Sequence, residues 1–415
     1  MARRAAPTVA IPLDAETAPT LFDGTSSRIF VLAFWTGLLT VLSLGLYRFW
    51  AKTRLRRYYW SSIRPGGVPL EYVGQPLEKL LGFLIAVTVL AFYIGVVNLL
   101  LMFVSFTFLA SNFAAYALSF LGVIPLWFFA RYRARRYVLA RTRFRGLRLG
   151  LEPGAWGYAL RALWHWFLTL ITAGLLWPRM TFWLEKYKTD RSFLGTQRLH
   201  QGGHWTMLYP AMLHLIFPVL GMVALVTSLV ARANADALFD PISFGAEMAR
   251  ITDPLFWFFV MAMPLWFVFG LANYRTFTFR RLTNTKTLGG VRLRALPRRW
   301  RVFKIYTLGN FLVYLGLILP LLALGIVLTG LESMVFETSP AGPALIGAAI
   351  IIYFLVFVIW GALAHAFVIL PLMRHFASTL RLEGAGHLSN IGQRARDEAG
   401  QAEGFAEALD VGAAI

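Results

Sequence analysis

The sequence predicts an all-α polytopic membrane protein with about six spanning helices, two repeated re-entrant or interfacial helices, and short β-hairpins on the cytoplasmic side. The first observation is composition: 58% of the 415 residues are hydrophobic and 14% are charged, whereas soluble domains are about 45–50% apolar. The second is that the apolar residues occur in runs of roughly 20, which suit a hydrocarbon core of about 30 Å. The third is how charge is distributed between these runs.

Eight apolar segments are candidates for membrane helices: 29–49, 79–106, 108–130, 158–177, 207–231, 254–273, 305–329 and 344–372. Four connecting regions are rich in arginine and lysine: 48–79, 131–148, 179–200 and 275–304. Three others are neutral or acidic: 105–112, 232–250 and 329–342. Cytoplasmic loops carry an excess of basic residues, so we expect the four basic regions on the cytoplasmic side.

The charge distribution favours six crossings over eight. If all eight segments crossed, basic regions would lie on both sides of the membrane. If segments 29–49 and 158–177 do not cross, every basic region and both termini are cytoplasmic, and the neutral or acidic loops lie opposite. The alternative, that both segments are short spanning helices and the charge bias is imperfect, stays open.

The two exceptional segments also form an internal repeat. WTGLLTVLSLGLY at 35–47 aligns without a gap with WHWFLTLITAGLL at 164–176, and a Trp, a Leu-Thr pair and a Gly coincide. The shared glycines are Gly45 and Gly174. Glycine favours a bent helix, and broken helices are tolerated at membrane depth where protein covers them. Paired broken helices also occur in the repeated halves of transporters.

Five stretches that follow apolar blocks have the pattern of β-hairpins, with a glycine-containing turn between two short alternating segments. They are 61–76, 141–154, 192–205, 283–297 and 378–388. With six crossings, all five lie on the cytoplasmic side, which allows them to pair with each other in one small sheet.

The chain divides into three parts. Residues 1–27 are expected to be a disordered lead. Residues 28–382 form the membrane domain, with the internal repeats at 28–76 and 157–205. Residues 383–415, which are rich in glycine, alanine and acidic residues, are expected to be a flexible tail.

A family resemblance rests on motifs within 21–86. The block contains Phe22-x-Gly24, Leu38-Leu39-Thr40, Leu44-Gly45-x-Tyr47, Trp50-Ala51-Lys52 and Tyr72-Val73-Gly74. In these motifs the chain resembles the YjgN-like bacterial inner-membrane family of unknown function, also called DUF898. The second repeat departs from the pattern, with Pro178-Arg179-Met180 in place of Trp-Ala-Lys. The resemblance implies a multi-pass protein of the bacterial inner membrane, and it supplies no catalytic residues.

Two basic and aromatic stretches are candidates for contact with an anionic lipid or solute. The first, FWAKTRLRRYYW, carries Lys52, Arg54, Arg56 and Arg57; the second, ARYRARRY, carries Arg133, Arg135 and Arg136. A cation near an anionic leaflet gains roughly 1 kcal/mol, and aromatic rings favour headgroup depth. The alternative, that these residues only anchor the topology, stays open.

Polar residues within the apolar segments are a second set of candidates. They are His165, His214, Asn310 and His365. An ionisable or polar residue at membrane depth suggests a functional site. The alternative is an interhelical hydrogen bond, which contributes about 0.6 kcal/mol on average.

Several chemistries find no support in the sequence. There is no cysteine, which excludes disulfides and cysteine-ligated metals. His200 and His204 are four residues apart without a carboxylate at a suitable spacing, so we expect no metal. No nucleophile elbow, P-loop or Rossmann fingerprint is present, and we expect no cofactor. The net charge of +20 lies beside apolar segments, so it indicates membrane topology and not a nucleic-acid partner.

Three functions remain as hypotheses. The first is a transporter or channel for a small or anionic solute. The second is a protein that binds anionic lipids or organises the membrane without catalysis. The third, a membrane enzyme acting on lipids, is the weakest, because the sequence offers neither a paired-carboxylate nor a nucleophile constellation. The expected partners are membrane lipids, mainly anionic ones, and a small solute.

Overall fold

The computed structural model describes residues 16–92, 95–96, 99–100, 102–104, 112–232, 253–335 and 342–394. Helices and short strands alternate along the chain. The first half contains β1 (Thr17–Phe22), α1 (Ser26–Leu42), α2 (Arg48–Ser62), β2 (Ile63–Pro65), β3 (Leu70–Tyr72), α3 (Pro76–Phe92), α4 (Asn112–Ala140), β4 (Thr142–Phe144), β5 (Leu147–Leu151), α5 (Ala155–Ile171), α6 (Trp177–Thr189), β6 (Ser192–Leu194) and β7 (Gln197–Gln201). The second half contains α7 (Tyr209–Arg232), α8 (Pro254–Asn284), β8 (Lys286–Leu288), β9 (Val291–Ala295), α9 (Arg299–Val335), α10 (Gly342–Ala364), α11 (Leu370–Thr379) and β10 (Leu380–Glu383).

Within the described residues, four helices are long and apolar enough to cross a membrane. They are Trp205–Val230, Pro254–Asn284, Arg299–Gly330 and Pro343–Thr379. These helices contain four of the six predicted crossings. The other two predicted crossings, 79–106 and 108–130, include residues outside the described part of the chain. About six spanning helices therefore remains a prediction, of which four have the required length and composition.

Segments 29–49 and 158–177 each contain a bend. In the first, α1 ends at Leu42 and α2 begins at Arg48; in the second, α5 ends at Ile171 and α6 begins at Trp177. In each pair the first helix leaves the strands and the second returns to them, from β1 to β2 and from β5 to β6. Each segment is therefore part of a helical hairpin, and its entry into a membrane stays a prediction.

The ten strands form one sheet, which corrects the prediction of an all-α fold. The strand order is β2-β1-β10-β9-β8-β7-β6-β5-β4-β3, and all nine neighbouring pairs are antiparallel. The end strands β2 and β3 are consecutive in the chain, so the sheet curls into a nearly closed barrel. Closure hides strand edges, which would otherwise be free to pair with other chains.

Three of the predicted hairpins are present with two-residue turns. Phe144 pairs with Leu147, Leu194 with Gln197, and Leu288 with Val291 on either side of the turns. The turn residues are Arg145-Gly146, Gly195-Thr196 and Gly289-Gly290, and in each turn at least one has positive φ. Such turns match the twist of the strands that they join.

The first and last of the five predicted hairpins are wrong. In 61–76, β2 pairs with β1 and β3 pairs with β4, so these two strands lie at opposite ends of the sheet. In 378–388, a single strand, β10, lies between β1 and β9. Strand β1 lies within the segment 1–27 that was expected to be disordered. The local pattern identified strands correctly, but the partners come from distant parts of the chain.

The barrel interior is apolar and holds part of the C-terminal segment. Strand residues such as Phe144, Leu288 and Leu382 contribute to this core. A 3₁₀-helix, Ala385–Asn390, follows β10, and its Leu388 packs in the same cluster. The backbone N–H of Thr196 donates to the carbonyl of Gly392 at 2.9 Å. Ala385, Leu388 and Ile391, which belong to the predicted flexible tail, are therefore part of the barrel core.

Candidate functional site

The four basic candidates on α2 have different surroundings. Arg56 is buried, with its guanidinium 5.7 Å from the Trp60 ring and 5.3 Å from the Tyr72 ring. Arg57 Nη2 donates to the carbonyl of Gly74 at 3.0 Å. Lys52 is half-buried. Arg54 is exposed on the helix surface, with its guanidinium 5.6 Å from the Tyr47 ring, and it is accessible to an external anion.

The three basic candidates on α4 also differ in their contacts. Arg133 stacks its guanidinium over the Phe129 ring at 5.5 Å. Arg135 lies 3.8 Å from Glu185 of α6. Arg136 is only 8% exposed, and it lines a cavity between α4 and the barrel. The sequence predicts one anion-contacting stretch. In the structure Arg135 lies beside Glu185, whereas Arg133 and Arg136 both line a small open space next to Trp156.

An open groove of about 450 Å³ lies between α1 and α2. It combines two arginines with an apolar wall, and its lining residues are Ser27, Arg28, Val31, Leu32, Trp35, Thr36 and Arg54. Both arginines are exposed. Within the part of the chain that the structure describes, neither arginine makes an ion pair. The groove thus offers cationic and apolar surface to the same ligand.

The basic stretch on α2 predicts Arg54 as an anion contact, whereas Arg28 lies outside both predicted basic stretches. Arg28, Val31 and Trp35 are spaced i, i+3 and i+7 on α1, so they share one face of that helix. This spacing in the sequence could have indicated that Arg28 lies beside an apolar surface. The spacing does not show that α2 packs against this face of α1. The turn between the two helices brings Arg54 there.

A second cavity, of about 210 Å³, lies where α3 begins, α4 ends and the barrel starts. Five arginines and one carboxylate line it: Arg136, Arg141, Arg143, Arg148, Arg394 and Glu78. Glu78 is already engaged, because Arg141 Nε donates to its Oε2 at 3.1 Å and Tyr137 Oη donates to the same oxygen at 3.0 Å. We call this space the junction cavity.

Two arginines of the junction cavity face each other across a hairpin. Arg143 on β4 is the register partner of Arg148 on β5. Like charges directly opposite in an antiparallel pair are destabilising. Within the described residues, neither guanidinium forms an ion pair or a hydrogen bond, although exposed Glu71 lies opposite Arg143 on β3. The hairpin therefore brings two cations together at the cavity wall, and Glu71 lies opposite only the first of them.

A separate ion cluster connects α4, α6 and β8. Glu185 accepts from Lys286 at 2.8 Å, lies 2.8 Å from Lys188 Nζ, and is 3.8 Å from Arg135. Burial by itself would raise the pKa of Glu185, but these three cations hold the pKa well below its ordinary value. Burial also lowers the pKa of Lys188 to about 8, against the opposing effect of the Glu185 carboxylate. Glu185 is thus the carboxylate that all three cations of this cluster share.

His365, one of the polar candidates, begins a π-helical turn. This turn, His365–Ile369, joins α10 to α11. Its Nδ1 lies 2.9 Å from Tyr59 Oη, which belongs to α2. Both residues adjoin an apolar cluster that contains Ile29 and Leu370. Turns of this kind often occur at functional sites, but here the polar contact joins the first hairpin to the last long helix.

The other three polar candidates lie on three separate helices. His214 on α7 is 3.5 Å from Trp266 Nε1. Asn310 on α9 donates to the carbonyl of Tyr306 at 2.6 Å. His165 is buried on α5. Among the described residues, no hydrogen bond connects any two of the four candidates, so the structure does not bring them together in one polar site.

A family model described as "Bacterial protein of unknown function (DUF898)" matches residues 17–340. The match begins at β1 and includes the first helical hairpin, which carries the motifs on which the resemblance rests. Neither the curated proteins nor the solved structures contain a match. The matched region is well over half of the sequence, and it confirms the predicted family. The chain is therefore a member of DUF898, a family of bacterial proteins whose function is unknown.

Proposed function

We propose that this protein is a multi-pass membrane protein that binds anionic lipid in the groove between α1 and α2. The headgroup lies between Arg28 and Arg54, and an acyl chain follows Val31 and Trp35. The single observation that carries this proposal is the groove itself, where two exposed arginines and an apolar wall line one space. A guanidinium binds a phosphate in a bidentate manner, and the apolar wall suits a hydrocarbon chain.

The tips of the two helical hairpins support a lipid environment. Leu44 in the first turn is 96% exposed, and Leu170 beside the second turn is 71% exposed. Ile171 and Leu175 are also exposed. Apolar surface in water costs about 25 cal/mol per Å², so such tips favour contact with hydrocarbon. We place both tips in the membrane, which is the arrangement predicted from the charge distribution.

The two arms of the first hairpin differ in chemistry. The α1 arm is apolar and spans 17 residues, or about 25 Å of helix. The α2 arm carries arginines and a lysine. A helical element with one apolar and one basic aromatic side suits the membrane interface. Basic groups gain roughly 1 kcal/mol each near an anionic leaflet, so the barrel side of the hairpin belongs at the cytoplasmic surface.

Solute transport, the first of the sequence-based hypotheses, stays a prediction. It requires a polar path through the membrane helices, and the four polar candidates are hydrogen-bonded or buried on separate elements. The lipid proposal instead rests on a groove with a defined lining. Flux of a solute in proteoliposomes would favour transport.

Native mass spectrometry tests the lipid proposal. The full-length protein, extracted in a mild detergent, should retain an anionic lipid. The double substitution Arg28→Gln/Arg54→Gln should lower the retained fraction about tenfold or more, since two cations contribute roughly 1 kcal/mol each. The matched control is Arg292→Gln/Arg381→Gln, two exposed arginines on β9 and β10. Equal lipid retention by both double variants would refute the groove as the binding site.

Cysteine labelling tests the placement of the first hairpin. The chain has no cysteine, so single substitutions can be introduced directly at Thr25, Leu44 and Ser61. Thr25 and Ser61 are exposed at the barrel ends of α1 and α2. We expect both positions to react with a membrane-impermeant maleimide from the same face, and Leu44→Cys to react only after the membrane is dissolved. Labelling of Thr25→Cys and Ser61→Cys from opposite faces would show that this segment spans the membrane.

A further inference from the structure

We propose that the junction cavity is a binding site for a phosphate dianion, carried by inorganic phosphate or by a phosphomonoester. The cavity lies between the barrel and the helices α3 and α4, and no residue of the α1–α2 groove lines it. This site is separate from the lipid groove, so a test of one proposal does not decide the other.

Charge is the first reason. Five arginines line the cavity, and the single carboxylate among its lining residues, Glu78, is shared by Arg141 and Tyr137. Arg141 is paired with Glu78, and Arg394 lies 3.8 Å from Glu152, so Arg143 and Arg148 are the two cations that an anion in the cavity would chiefly meet. A phosphomonoester carries about −1.5 to −2 charges at neutral pH, and its oxygens fit the forked donors of guanidinium groups. The lining therefore favours a phosphate with two negative charges over a carboxylate.

The position of the arginines is the second reason. Residues that only anchor a topology extend into the headgroup region or into water. Arg136 and Arg141 are each 8% exposed, so their charged groups are largely withdrawn from water. Arg143 and Arg148 oppose each other on β4 and β5 without an ion pair. An anion between these two arginines would convert a cross-strand repulsion into two attractions.

The size of the cavity limits the ligand. Sites for drug-sized molecules occupy about 300–1,000 Å³, and the junction cavity has about 210 Å³. This volume suits a phosphate group and the few atoms next to it. Apolar side chains, among them Val73, Leu149 and Phe193, complete the lining. A larger ligand would therefore insert its phosphate and leave its remainder outside.

The C-terminal segment contributes one wall. Arg394 stacks over the Phe193 ring at 4.4 Å and lies 3.8 Å from Glu152 Oε1. Glu152 also pairs with Arg198 at 2.5 Å, so it does not neutralise Arg394 alone. The same segment is held by Gln393, whose Oε1 accepts from the backbone N–H of Arg148 at 3.1 Å. The segment that packs in the barrel core with Leu388 therefore continues into the wall of the cavity at Arg394.

Isothermal titration of the full-length protein in a non-ionic detergent tests the site, with inorganic phosphate as the probe. Wild type should bind phosphate saturably and gain thermal stability from it. Arg143→Gln/Arg148→Gln should weaken binding about tenfold or more. The control variant, Arg292→Gln/Arg381→Gln, should bind phosphate within about twofold of wild type.

Competition distinguishes the two sources of the phosphate. Phosphatidic acid in mixed micelles presents a phosphomonoester, whereas phosphatidylglycerol presents a phosphodiester. If phosphatidic acid displaces phosphate and phosphatidylglycerol does not, the site takes a lipid headgroup. If glycerol 3-phosphate displaces phosphate and neither lipid does, the ligand is soluble. Either result supports the phosphate site.

Two results would overturn the proposal. One is the absence of phosphate and phosphatidic acid binding by wild type. The other is unchanged binding by Arg143→Gln/Arg148→Gln. This variant should fold, because losing the repulsion between Arg143 and Arg148 offsets losing the attraction between Arg143 and Glu71, and its melting temperature without phosphate should be close to that of wild type. Should it fail to fold, Arg148→Gln alone provides the same comparison. Lipid retention in the α1–α2 groove is unaffected by either result.

Discussion

Gly45 and Gly174 occupy equivalent positions in the turns of the two helical hairpins. Each donates its backbone N–H to a threonine carbonyl five residues earlier, Thr40 or Thr169, at 2.7 Å. Their φ angles, +91° and +88°, are also nearly the same. Glycine adopts this left-handed conformation without the steric cost that a Cβ brings. The aligned glycines of the sequence thus correspond to matching backbone geometry.

Substitution of either turn glycine by alanine should destabilise the protein by about 1–2 kcal/mol. No atom lies within 4 Å of a Cβ added at Gly45 or Gly174, so the effect reports backbone strain and not a steric clash. Gly325→Ala is the control, because its added Cβ also meets no atom but its backbone is helical; it should leave stability unchanged or raise it by up to about 1 kcal/mol. Unfolding followed by tryptophan fluorescence would measure all three, and equal effects would contradict the strain argument.

Tyr59→Phe should destabilise the protein by about 1–3 kcal/mol, the usual effect of leaving a buried polar atom unsatisfied. The substitution retains the ring that packs beside Ile29 and removes the hydroxyl that contacts His365 Nδ1. Tyr314→Phe is the control, because Tyr314 is 66% exposed. Thermal unfolding in detergent would compare them. If the two variants had the same melting temperature, the Tyr59–His365 contact would not contribute to stability.

Glu185→Gln should destabilise the protein by about 3–5 kcal/mol near neutral pH, because it leaves Lys188, Lys286 and Arg135 without their shared counter-ion. Glu71→Gln, at an exposed position on β3, should change stability by less than about 0.5 kcal/mol. Chemical unfolding measures both variants. A Glu185→Gln protein as stable as Glu71→Gln would show that the cluster does not contribute to folding.

Acid should remove the stabilisation that Glu185 provides. The pKa of Glu185 in the folded protein is well below the value of 4.5 in the unfolded chain, so its contribution is complete above that value. It is lost as the pH falls through the folded-state pKa, because the unfolded chain binds the proton first. The stability difference between wild type and Glu185→Gln should therefore shrink from neutral pH to about pH 3. A difference that does not change with pH would contradict this assignment.

Leu388→Ala should destabilise the protein by about 2–5 kcal/mol, through lost burial and a cavity inside the barrel. Leu388 is buried among the strand residues of the barrel core. The control is Leu296→Ala, since Leu296 is exposed just after β9, and it should have an effect below about 0.5 kcal/mol. Thermal unfolding measures both. If Leu388→Ala were neutral, packing of Leu388 in the barrel core would not contribute to stability.

Local sequence patterns predicted many of the elements. Long apolar runs predicted the four helices that are long enough to cross a membrane, and the Gly-containing turn sequences predicted three two-residue hairpins. The repeat predicted bends in two segments, and both segments contain a turn at the aligned glycine. These features depend on residues within one or two turns of chain, where hydrophobic spacing and backbone preferences act directly.

The candidate sites depended on contacts that the sequence did not show. Arg54 was predicted from a basic stretch, but its partner Arg28 became apparent only when α2 folded back on α1. Arg143 and Arg148 were counted among the basic residues of one loop, and their opposition follows from the register of β4 and β5. Arg56 was predicted to contact an anionic lipid or solute, and the structure buries it beside the Trp60 and Tyr72 rings.

The sequence by itself determined the membrane-type composition, the basic connecting regions, the bends and the hairpin turns. Tertiary structure alone decided that the strands form one nearly closed barrel, because β1 pairs with β10 across more than 350 residues of chain. Strands of three to six residues carry too little pattern to specify a distant partner. The helices that connect the strands pack against each other and bring the strands together. This packing determines which strands pair.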